Sequence, residues 1–372
     1  MPKRNYARIV LKFGTSTLTA GGASISPPRL VELIRQIASL SQQGREIVIV
    51  SSGAMAAGRE CLSFPQLPKD IPAKQMLAAI GQPRLMSLYE QLFGLYGLTV
   101  AQVLLTRTDL ADRRRYLNSR NTLQALLAHK VIPIINENDT VATEEIRFGD
   151  NDRLSAYVVS LVDADLLVLL TDQDGLYTAD PLINPHAQLV RQVSDAEISA
   201  ELWRAAGSSA NGLGTGGMST KLQAADLARR SGATAIIAPG GQTDILLRLV
   251  DGERFGTLFP PLVSSLDSRH RYILASGQVD WQVGVDQGAA SALKKGGSLL
   301  PVGVSNISGE FERGDAVKIV DEQGKELARG LVNYSAGELL RIQGQQSEAI
   351  ETILGYFYGE EVIHRNNMVL MG

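Results

Sequence analysis

The 372-residue sequence has few of the residues that build disulfide-stabilised or metal-centred proteins. Its one cysteine, Cys61, excludes an internal disulfide framework. Its four histidines are scattered, at His129, His186, His270 and His364, so they form no visible metal cluster. No apolar run reaches the ~18 residues of a membrane span, and the first apolar run is too short for a signal sequence. We therefore expect a cytoplasmic protein.

The composition is also low in aromatic residues, at 5%, and has no large excess of either charge, with a net charge of −3. This balance gives no broad basic surface for nucleic acid or membranes. Glycine is plentiful, with 36 residues, which suits an α/β protein with tight loops around ligands. At 372 residues the chain is too long for one compact core, so we expect two domains.

Short apolar runs alternate with helical stretches through the first two thirds of the chain. The runs are apolar enough for strands buried on both faces. They are Arg8 to Phe13, Glu46 to Val50, Leu98 to Leu105, Val131 to Ile135, Asp165 to Leu170 and Ala233 to Ala238. Helical spacing between them, as in Arg29 to Leu40 and Met218 to Arg230, predicts a doubly wound, mostly parallel open sheet in an α/β sandwich.

From Gln278 onward the sequence changes to short segments separated by glycines. The segments FERGDAVKIV and KELARGLV flank the polar turn DEQG, which predicts a β-hairpin. A small β-barrel-like domain fits this region. We therefore expect a first domain over residues 1–260, a linker over 261–277, a small domain over 278–356 and a C-terminal tail over 357–372.

The first predicted strand runs into LKFGTSTLT. Lys12 lies at the end of the strand, and Gly14 and Thr15 follow it. Ligands of an open α/β sheet collect at the carboxyl ends of the strands, where a lysine can lie along a polyphosphate. Gly14 allows backbone N–H groups to approach the phosphate oxygens. The alternative interpretation is an ordinary turn with a solvated lysine.

The second strand runs into SSGAMAAG, so Ser52 and Gly53 precede a helix rich in small residues. A helix N-terminus after a strand is a natural site for an anion or a carboxylate. The alternative is a serine, Ser51 or Ser52, that only caps the helix. A cap needs one serine and does not account for Gly53 or the small residues after it.

A glycine-rich segment, GLGTGGMSTKLQAA from Gly212 to Ala225, precedes another predicted helix. It lacks the Gly-Lys-Ser/Thr order of a P-loop. Its backbone donors and helix N-terminus can still face phosphate, and Lys221 adds a positive charge in the first turn. The alternative is a flexible linker before a capped helix, although a linker would not need that lysine.

Acidic and amide side chains are dense between Ile135 and Ala156, in INENDTVATEEIRFGDNDRLSA. Asp139 and Asp150 can pair with the ammonium group of an amino-acid substrate. Asn136 and Asn151 can donate to its carboxylates. The alternative is a solvated loop before a helix capped near Asp150, which explains one of these residues and not the whole set.

Lys12 and Lys221, together with the carboxylate of Asp152, favour phosphoryl transfer by positioning and charge. A carboxylate nucleophile has no proton to lose, so no general base is required. The two lysines and Mg²⁺ would neutralise the charge of the transferring phosphoryl group, and Asp152 can hold both ammonium groups in place. The sequence thus predicts an ATP-dependent kinase for a small carboxylate.

Several of these segments resemble the amino acid kinase family, over about Val10 to Phe259. They are VLKFGTSTLT, IVIVSSGAMAAGR, INENDTVATEEIRFGDND, LLTDQDGLYTADP, GLGTGGMSTKLQAA and GTLF. The region from Gln278 to about Tyr356 resembles the PUA domain appended in that family. The resemblance is closest to members that convert ATP and L-glutamate to L-glutamyl 5-phosphate, the first step of proline biosynthesis. Asp174 departs from the family pattern, because a lysine is common at that position.

The resemblance and the residue patterns together assign roles to residues of this chain. The catalytic set is Lys12, Lys221 and Asp152. The substrate-binding set is Ser52, Gly53, Asn136, Asp139, Asp150 and Asn151. The ATP-binding set is Lys12, Gly14, Thr15, Thr171, Asp172, Thr215, Gly216, Gly217, Met218, Ser219, Thr220 and Lys221.

The resemblance also implies dependence on Mg²⁺, feedback inhibition by proline and a homo-oligomer, either a dimer or a tetramer. Because the acyl phosphate product is labile, it further implies a glutamyl phosphate reductase as a partner.

Two alternatives remain open: a related kinase with another carboxylate substrate, and an RNA-binding protein that acts through the PUA domain. Residues 278–372 contain eight Lys/Arg and 13 Asp/Glu, a net charge of −5. Affinity for RNA depends largely on neutralising phosphates, so this region is a poor candidate for tight RNA binding. We expect it to be regulatory or architectural, and we expect neither a nucleic-acid nor a membrane partner.

Overall fold

A computed structural model describes residues 6–68, 70–142, 151–181, 183–207, 217–264 and 280–371. The chain divides into two compact units. The first contains residues 1–111 and 118–265, and the second contains residues 112–117 and 266–372. The second unit therefore includes a short segment, 112–117, that lies far upstream of the small domain expected from the sequence.

Strands and helices alternate through the first 259 residues, as the apolar runs predict. The strands are β1 (Arg8–Phe13), β2 (Glu46–Ser51), β3 (Val100–Leu105), β4 (Ile132–Glu137), β5 (Leu166–Thr171), β6 (Thr234–Pro239) and β7 (Thr257–Phe259). The helices are α1 (Thr15–Thr19), α2 (Pro27–Gln42), α3 (Ala54–Cys61), α4 (Ile71–Gly94), α5 (Arg107–Ala111), α6 (Arg113–Ala128), α7 (Asn151–Val162), α8 (Ala200–Ala205), α9 (Met218–Arg230) and α10 (Ile245–Val250). Within the described ranges, none of the helices is long and apolar enough to cross a membrane.

The seven strands form one sheet in the order β3-β4-β2-β1-β5-β6-β7. Neighbouring strands are parallel except for β7, which runs antiparallel to β6. The predicted mostly parallel open sheet is therefore confirmed. β1 lies at its centre and pairs with β2 on one side and with β5 on the other.

The alternation of side chains along β1 determines what each face of the sheet carries. Ile9, Leu11 and Phe13 are fully buried in a core with apolar residues of α2, α4 and α10. Lys12 therefore points to the opposite face, where α7 contacts β1 and α9 contacts α7. Helices cover both faces, as expected for a parallel sheet.

The second unit contains a five-stranded sheet in the order β12-β11-β10-β8-β9, with its own apolar core. Its strands are β8 (Gln282–Val285), β9 (Val304–Ser308), β10 (Ala316–Val320), β11 (Glu326–Leu331) and β12 (Met368–Leu370), and its helices are α11 (Gln287–Lys294), α12 (Ala336–Ile342) and α13 (Ile350–Leu354). β10 and β11 form the predicted antiparallel hairpin. β12 pairs with β11, so the sheet continues past residue 356 into the segment predicted as a tail.

Helices α3 and α4 approach each other at backbone contact distance, and two glycines allow it. A Cβ on Gly58 would lie 2.0 Å from the carbonyl oxygen of Leu77, and one on Gly81 would lie 1.8 Å from that of Ala54. Both distances are far below van der Waals contact, so any side chain here would push the helices apart. The small residues of α3 therefore serve its packing against α4.

We predict that Gly81→Ala lowers the midpoint of thermal unfolding by roughly 5 °C or more, because the added methyl group overpacks the α3–α4 contact. Circular dichroism during heating measures this. Gly94→Ala is the matched control in the same helix, since a Cβ at Gly94 would meet nothing within 4 Å. Equal midpoints for the two variants would contradict the backbone-contact argument.

Candidate active site

Four loops that carry predicted site residues leave the same edge of the large sheet. Their strands are adjacent in the order β4-β2-β1-β5 and are parallel. Phe13, the last residue of β1, lies opposite Ser51, the last residue of β2, and Val50 lies opposite Ile135 of β4. The carboxyl ends of these strands are thus level, and the loops that follow them lie side by side.

At this edge, a buried carboxylate joins two lysines from separate elements. Lys12 Nζ of β1 forms an ion pair with Asp152 Oδ1 in the first turn of α7. Lys221 Nζ of α9 donates to Asp152 Oδ2 over 3.1 Å, and Thr220 Oγ1 donates to the same oxygen over 2.9 Å. The predicted contact between Asp152 and both ammonium groups is confirmed.

Burial decides between the two interpretations of Lys12. Lys12 is 4% exposed and Asp152 is 1% exposed, so the pair is removed from bulk water. The interpretation of Lys12 as a solvated lysine after an ordinary turn is therefore wrong. Gly14 precedes α1 in extended conformation, and a Cβ on it would lie 3.7 Å from Lys12 Nζ. This glycine thus leaves the space beside the ammonium group open.

A chain of amides lies next to the lysine cluster, beginning at Asn151. Asn151 Nδ2 donates to the Ser51 carbonyl over 2.7 Å and to Asn136 Oδ1 over 2.8 Å, with Ser52 Oγ 3.2 Å away. Asn136 Nδ2 in turn donates to Gln82 Oε1 of α4 over 2.7 Å. Each asparagine amide therefore donates within the protein, and donation by both to a substrate stays a prediction.

The loop after β2 is built differently from a serine-capped helix. Gly53 occupies the position before α3 with a φ of +99°, and no side chain caps this helix. Ser51 Oγ instead lies 2.9 Å from the hydroxyl of Tyr89, a fully buried side chain whose pKa is raised by its burial. The cap interpretation is wrong, and Gly53 is required for its left-handed backbone.

A cavity of about 280 Å³ opens beside these loops. It brings together residues of five chain segments, including most of the predicted substrate-binding set. Its lining is Thr15, Ala23, Ser52, Gly53, Ala54, Met55, Ala56, Arg59, Asn136, Glu137, Asp139 and Asn151. The cavity is thus polar at the strand ends, and it contains carboxylates, amides, hydroxyls and one guanidinium.

The glycine-rich segment ends at helix α9, as predicted. Gly217 precedes the helix in extended conformation, and Ser219 and Thr220 are buried in its first turn. Met218 lines a second cavity, of about 710 Å³, whose other residues come from 173–183 and 201–207. Three predicted site residues lie outside the described residues, namely Asp150, Thr215 and Gly216.

The loop after β5 carries the remaining predicted nucleotide residues. Thr171 Oγ1 donates to the Asp172 carboxylate over 3.1 Å. Asp174, the departure from the family pattern, accepts a hydrogen bond of 3.2 Å from the hydroxyl of Tyr177, which lines the second cavity. Burial, with this hydrogen bond, raises the pKa of Tyr177. Asp174 thus orients a cavity residue.

Sequence reasoning missed three residues of the site. Gln82 supports Asn136 from α4, and Arg59 and Glu137 line the first cavity. Gln82 and Arg59 lie inside helices, away from any strand end, and the glycines that precede them, Gly81 and Gly58, serve the packing of α3 against α4. Glu137 was part of the acidic stretch but received no role.

Comparisons with known proteins agree with these features. Residues 7–239 match the amino acid kinase family, and residues 281–354 match the PUA domain. Curated glutamate 5-kinases are similar over almost their whole length. The protein from Shewanella oneidensis is 51% identical over 367 residues, 98% of each chain. That from Photobacterium profundum is 52% identical over 364 residues, 98% of this chain and 96% of its own.

The glutamate 5-kinase of Dehalococcoides mccartyi gives the same result, with 51% identity over 375 residues, 100% of both chains. The matched regions include β1, α7 and α9, which carry the lysine cluster. The chain therefore belongs to the amino acid kinase family, with a PUA domain after the kinase domain, and its full-length relatives in that family are glutamate 5-kinases.

Proposed function

We propose that this protein transfers the γ-phosphoryl group of ATP to the side-chain carboxylate of L-glutamate. The product is L-glutamyl 5-phosphate, and the reaction is the first step of proline biosynthesis. The observation that carries the proposal is the buried cluster of Lys12, Asp152 and Lys221 beside a polar cavity. About half of the sequence is shared with glutamate 5-kinases along the whole chain, which supports glutamate as the substrate.

Phosphoryl transfer to a carboxylate requires that the reacting groups be aligned and that negative charge be stabilised. A carboxylate oxygen of glutamate attacks the γ-phosphorus, a new O–P bond forms, and the bond from that phosphorus to the bridging oxygen of ADP breaks. No proton is transferred, so the site needs no general base. It must instead stabilise negative charge on the phosphoryl oxygens and on the departing ADP.

The lysine cluster can provide that stabilisation. Two ammonium groups and one carboxylate leave a net charge of +1 at a place where Lys12 and Asp152 are buried and the Lys221 side chain is 13% exposed, and a charge there interacts more strongly than in bulk solvent. Lys12 approaches from the strand edge and Lys221 from the start of α9, so the phosphoryl group can pass between them. Asp152 keeps the two at fixed positions.

The cavity of about 280 Å³ would bind glutamate. Asp139 can accept from the glutamate ammonium, and Ser52, Gly53 and Asn151 lie where the strand-end loops meet the lysine cluster. Asn136 positions Asn151. Asp150, outside the described residues, stays a further proposed contact for the ammonium group.

ATP would approach from the other side of the lysine cluster. Backbone donors near Gly14 and Thr15, and the N-terminus of α9 from Gly217 to Lys221, face the phosphates in this proposal. The larger cavity beside Met218 offers room for the nucleoside. The proposed ATP-binding set further includes Thr171, Asp172, Thr215 and Gly216.

The nucleotide would enter as its Mg²⁺ complex, with the ion on phosphate oxygens. Mg²⁺ commonly binds one or two carboxylates together with substrate phosphates. Among the residues with described positions, no three His, Cys, Asp or Glu side chains group together to hold a metal. Asp152 already contacts two ammonium groups, so the phosphates would supply most of the coordination.

Other properties rest on the family alone. We propose feedback inhibition by proline, a homo-oligomer, a glutamyl phosphate reductase as partner and a cytoplasmic location. For residues 278–372, the net charge of −5 supports a regulatory or architectural role over RNA binding.

The proposed reaction is tested by trapping its acyl phosphate. With ATP, Mg²⁺, L-glutamate and hydroxylamine, we expect hydroxamate to form in step with ADP, because hydroxylamine attacks the carbonyl and releases phosphate. N-acetylglutamate and aspartate are the control substrates, and proline should lower the rate. ADP release without hydroxamate, or equal rates on aspartate, would contradict the proposal.

We predict that Lys12→Ala and Lys221→Ala each lower kcat by about a hundredfold or more, because each removes a charge that faces the transferring phosphoryl group. Glutamate binding, measured by calorimetry, should change little. Lys294→Ala, an exposed lysine of α11, is the control for loss of a positive charge. Wild-type turnover in either site variant would exclude the two-lysine scheme.

Replacing Gln82 by methionine should raise KM for glutamate roughly tenfold while KM for ATP stays unchanged. Methionine keeps the size of the side chain but removes the acceptor of the Asn136 amide, which is then buried without this partner. Gln91→Met on the exposed side of the same helix is the control. An unchanged KM for glutamate in folded Gln82→Met protein would show that the amide chain has no part in substrate binding.

A further inference from the structure

Arg59 is a cation in a cavity that otherwise offers neutral and acidic groups. Among the described residues that line this cavity, Arg59 alone carries a positive charge, whereas Glu137 and Asp139 carry negative charges. No hydrogen bond or ion pair joins its guanidinium to another described residue. Sequence analysis gave Arg59 no role.

The packing of α3 fixes the direction in which Arg59 points. Ala54, Ala57 and Gly58 are buried, and Gly58 lies against the backbone of α4. The less buried residues of the helix, Met55, Ala56 and Arg59, all line the cavity. Because residues four apart share a face of a helix, Arg59 lies directly above Met55.

The Arg59 side chain also tilts toward the cavity. Side chains of a helix tilt toward its N-terminus, which here begins after Gly53, a residue that also lines the cavity. Arg59 lies six residues after Gly53, about 9 Å along the helix axis. Its guanidinium can thus reach back into the cavity from the end of α3 that is farther from Gly53.

This placement matches the charges of a dicarboxylic amino acid. The carboxylate that is phosphorylated must face the lysine cluster, and the ammonium group has acidic partners in Asp139 and Glu137. The remaining group, the α-carboxylate, needs a cation at the opposite end. A guanidinium can bind a carboxylate with two parallel hydrogen bonds, which adds direction to charge.

We propose that Arg59 binds the α-carboxylate of the substrate and selects amino acids that have a free one. This inference rests on the proposed function, because it needs glutamate in this cavity. Arg59 contacts a part of the substrate that does not react, so it contributes binding that is equal before and during phosphoryl transfer. Such a residue affects KM and leaves kcat nearly unchanged.

The test compares glutamate with its α-amide, isoglutamine, which keeps the side-chain carboxylate but lacks the α-carboxylate. We expect Arg59→Gln to raise KM for glutamate roughly ten- to a hundredfold, with kcat within about threefold of the wild type. For isoglutamine, KM (or the inhibition constant, where turnover is slow) should change by less than about threefold. Arg59→Lys, which restores the charge without the two-pronged geometry, should give an intermediate KM for glutamate.

Arg84→Gln, an exposed arginine of α4 that does not line the cavity, is the matched control and should resemble the wild type. Circular dichroism checks folding, and Arg59→Lys decides the question if Arg59→Gln does not fold. An equal rise in KM for glutamate and isoglutamine, or no rise for glutamate, would overturn the role of Arg59. A wild-type enzyme that forms no glutamate-dependent hydroxamate would instead overturn the proposed function itself.

Discussion

Asp152 reaches the site from the first turn of α7 and contacts two lysines that come from different elements, β1 and α9. A buried charge without a partner costs several kcal/mol, and removing one member of such a cluster leaves another uncompensated. The ion pairs therefore hold a strand and two helices in one arrangement. The same cluster has one positive charge in excess, which is the charge that we propose stabilises the phosphoryl group. The packing of β1, α7 and α9 and the proposed catalytic charge thus both depend on the Asp152 carboxylate.

On the face of the sheet opposite Lys12, the close contact between the backbones of α3 and α4 also helps to hold the site together. Gly58 and Gly81 allow α3 and α4 to touch, and the next residue of α4, Gln82, holds the amide of Asn136. Asn136 contacts Asn151, which precedes Asp152 in the chain. A continuous series of short contacts therefore leads from the helix pair to the lysine cluster. Polar groups organised in this way are in place before the substrate binds, so little reorganisation is needed during the reaction.

The sequence predicts some of these features much better than others. The contact of Asp152 with Lys12 and Lys221 could be predicted, because Lys12 lies at the end of an apolar strand and Lys221 follows a glycine-rich segment, where ligands of parallel sheets bind. The predicted strand around Ile135 ended too early, because polar residues remain in the strand up to Glu137. Gln82 and Arg59 could not be found, since the direction of a helical side chain depends on which face packs, and here that face consists of small residues.

Like the direction of helical side chains, the order of the strands cannot be predicted from local sequence patterns. The site depends on this order. The six long apolar runs have similar sequences, so they do not reveal the order of the strands. The observed order β4-β2-β1-β5 places the loops after these four strands next to one another. Residues 6–142 supply Lys12 and Ser52, whereas residues 151–230 supply Asp152 and Lys221. Because β1 pairs with both β2 and β5, it is the junction between these two parts of the chain. Neither part alone contains the whole lysine cluster, which therefore depends on the long-range pairing of β1 with β5.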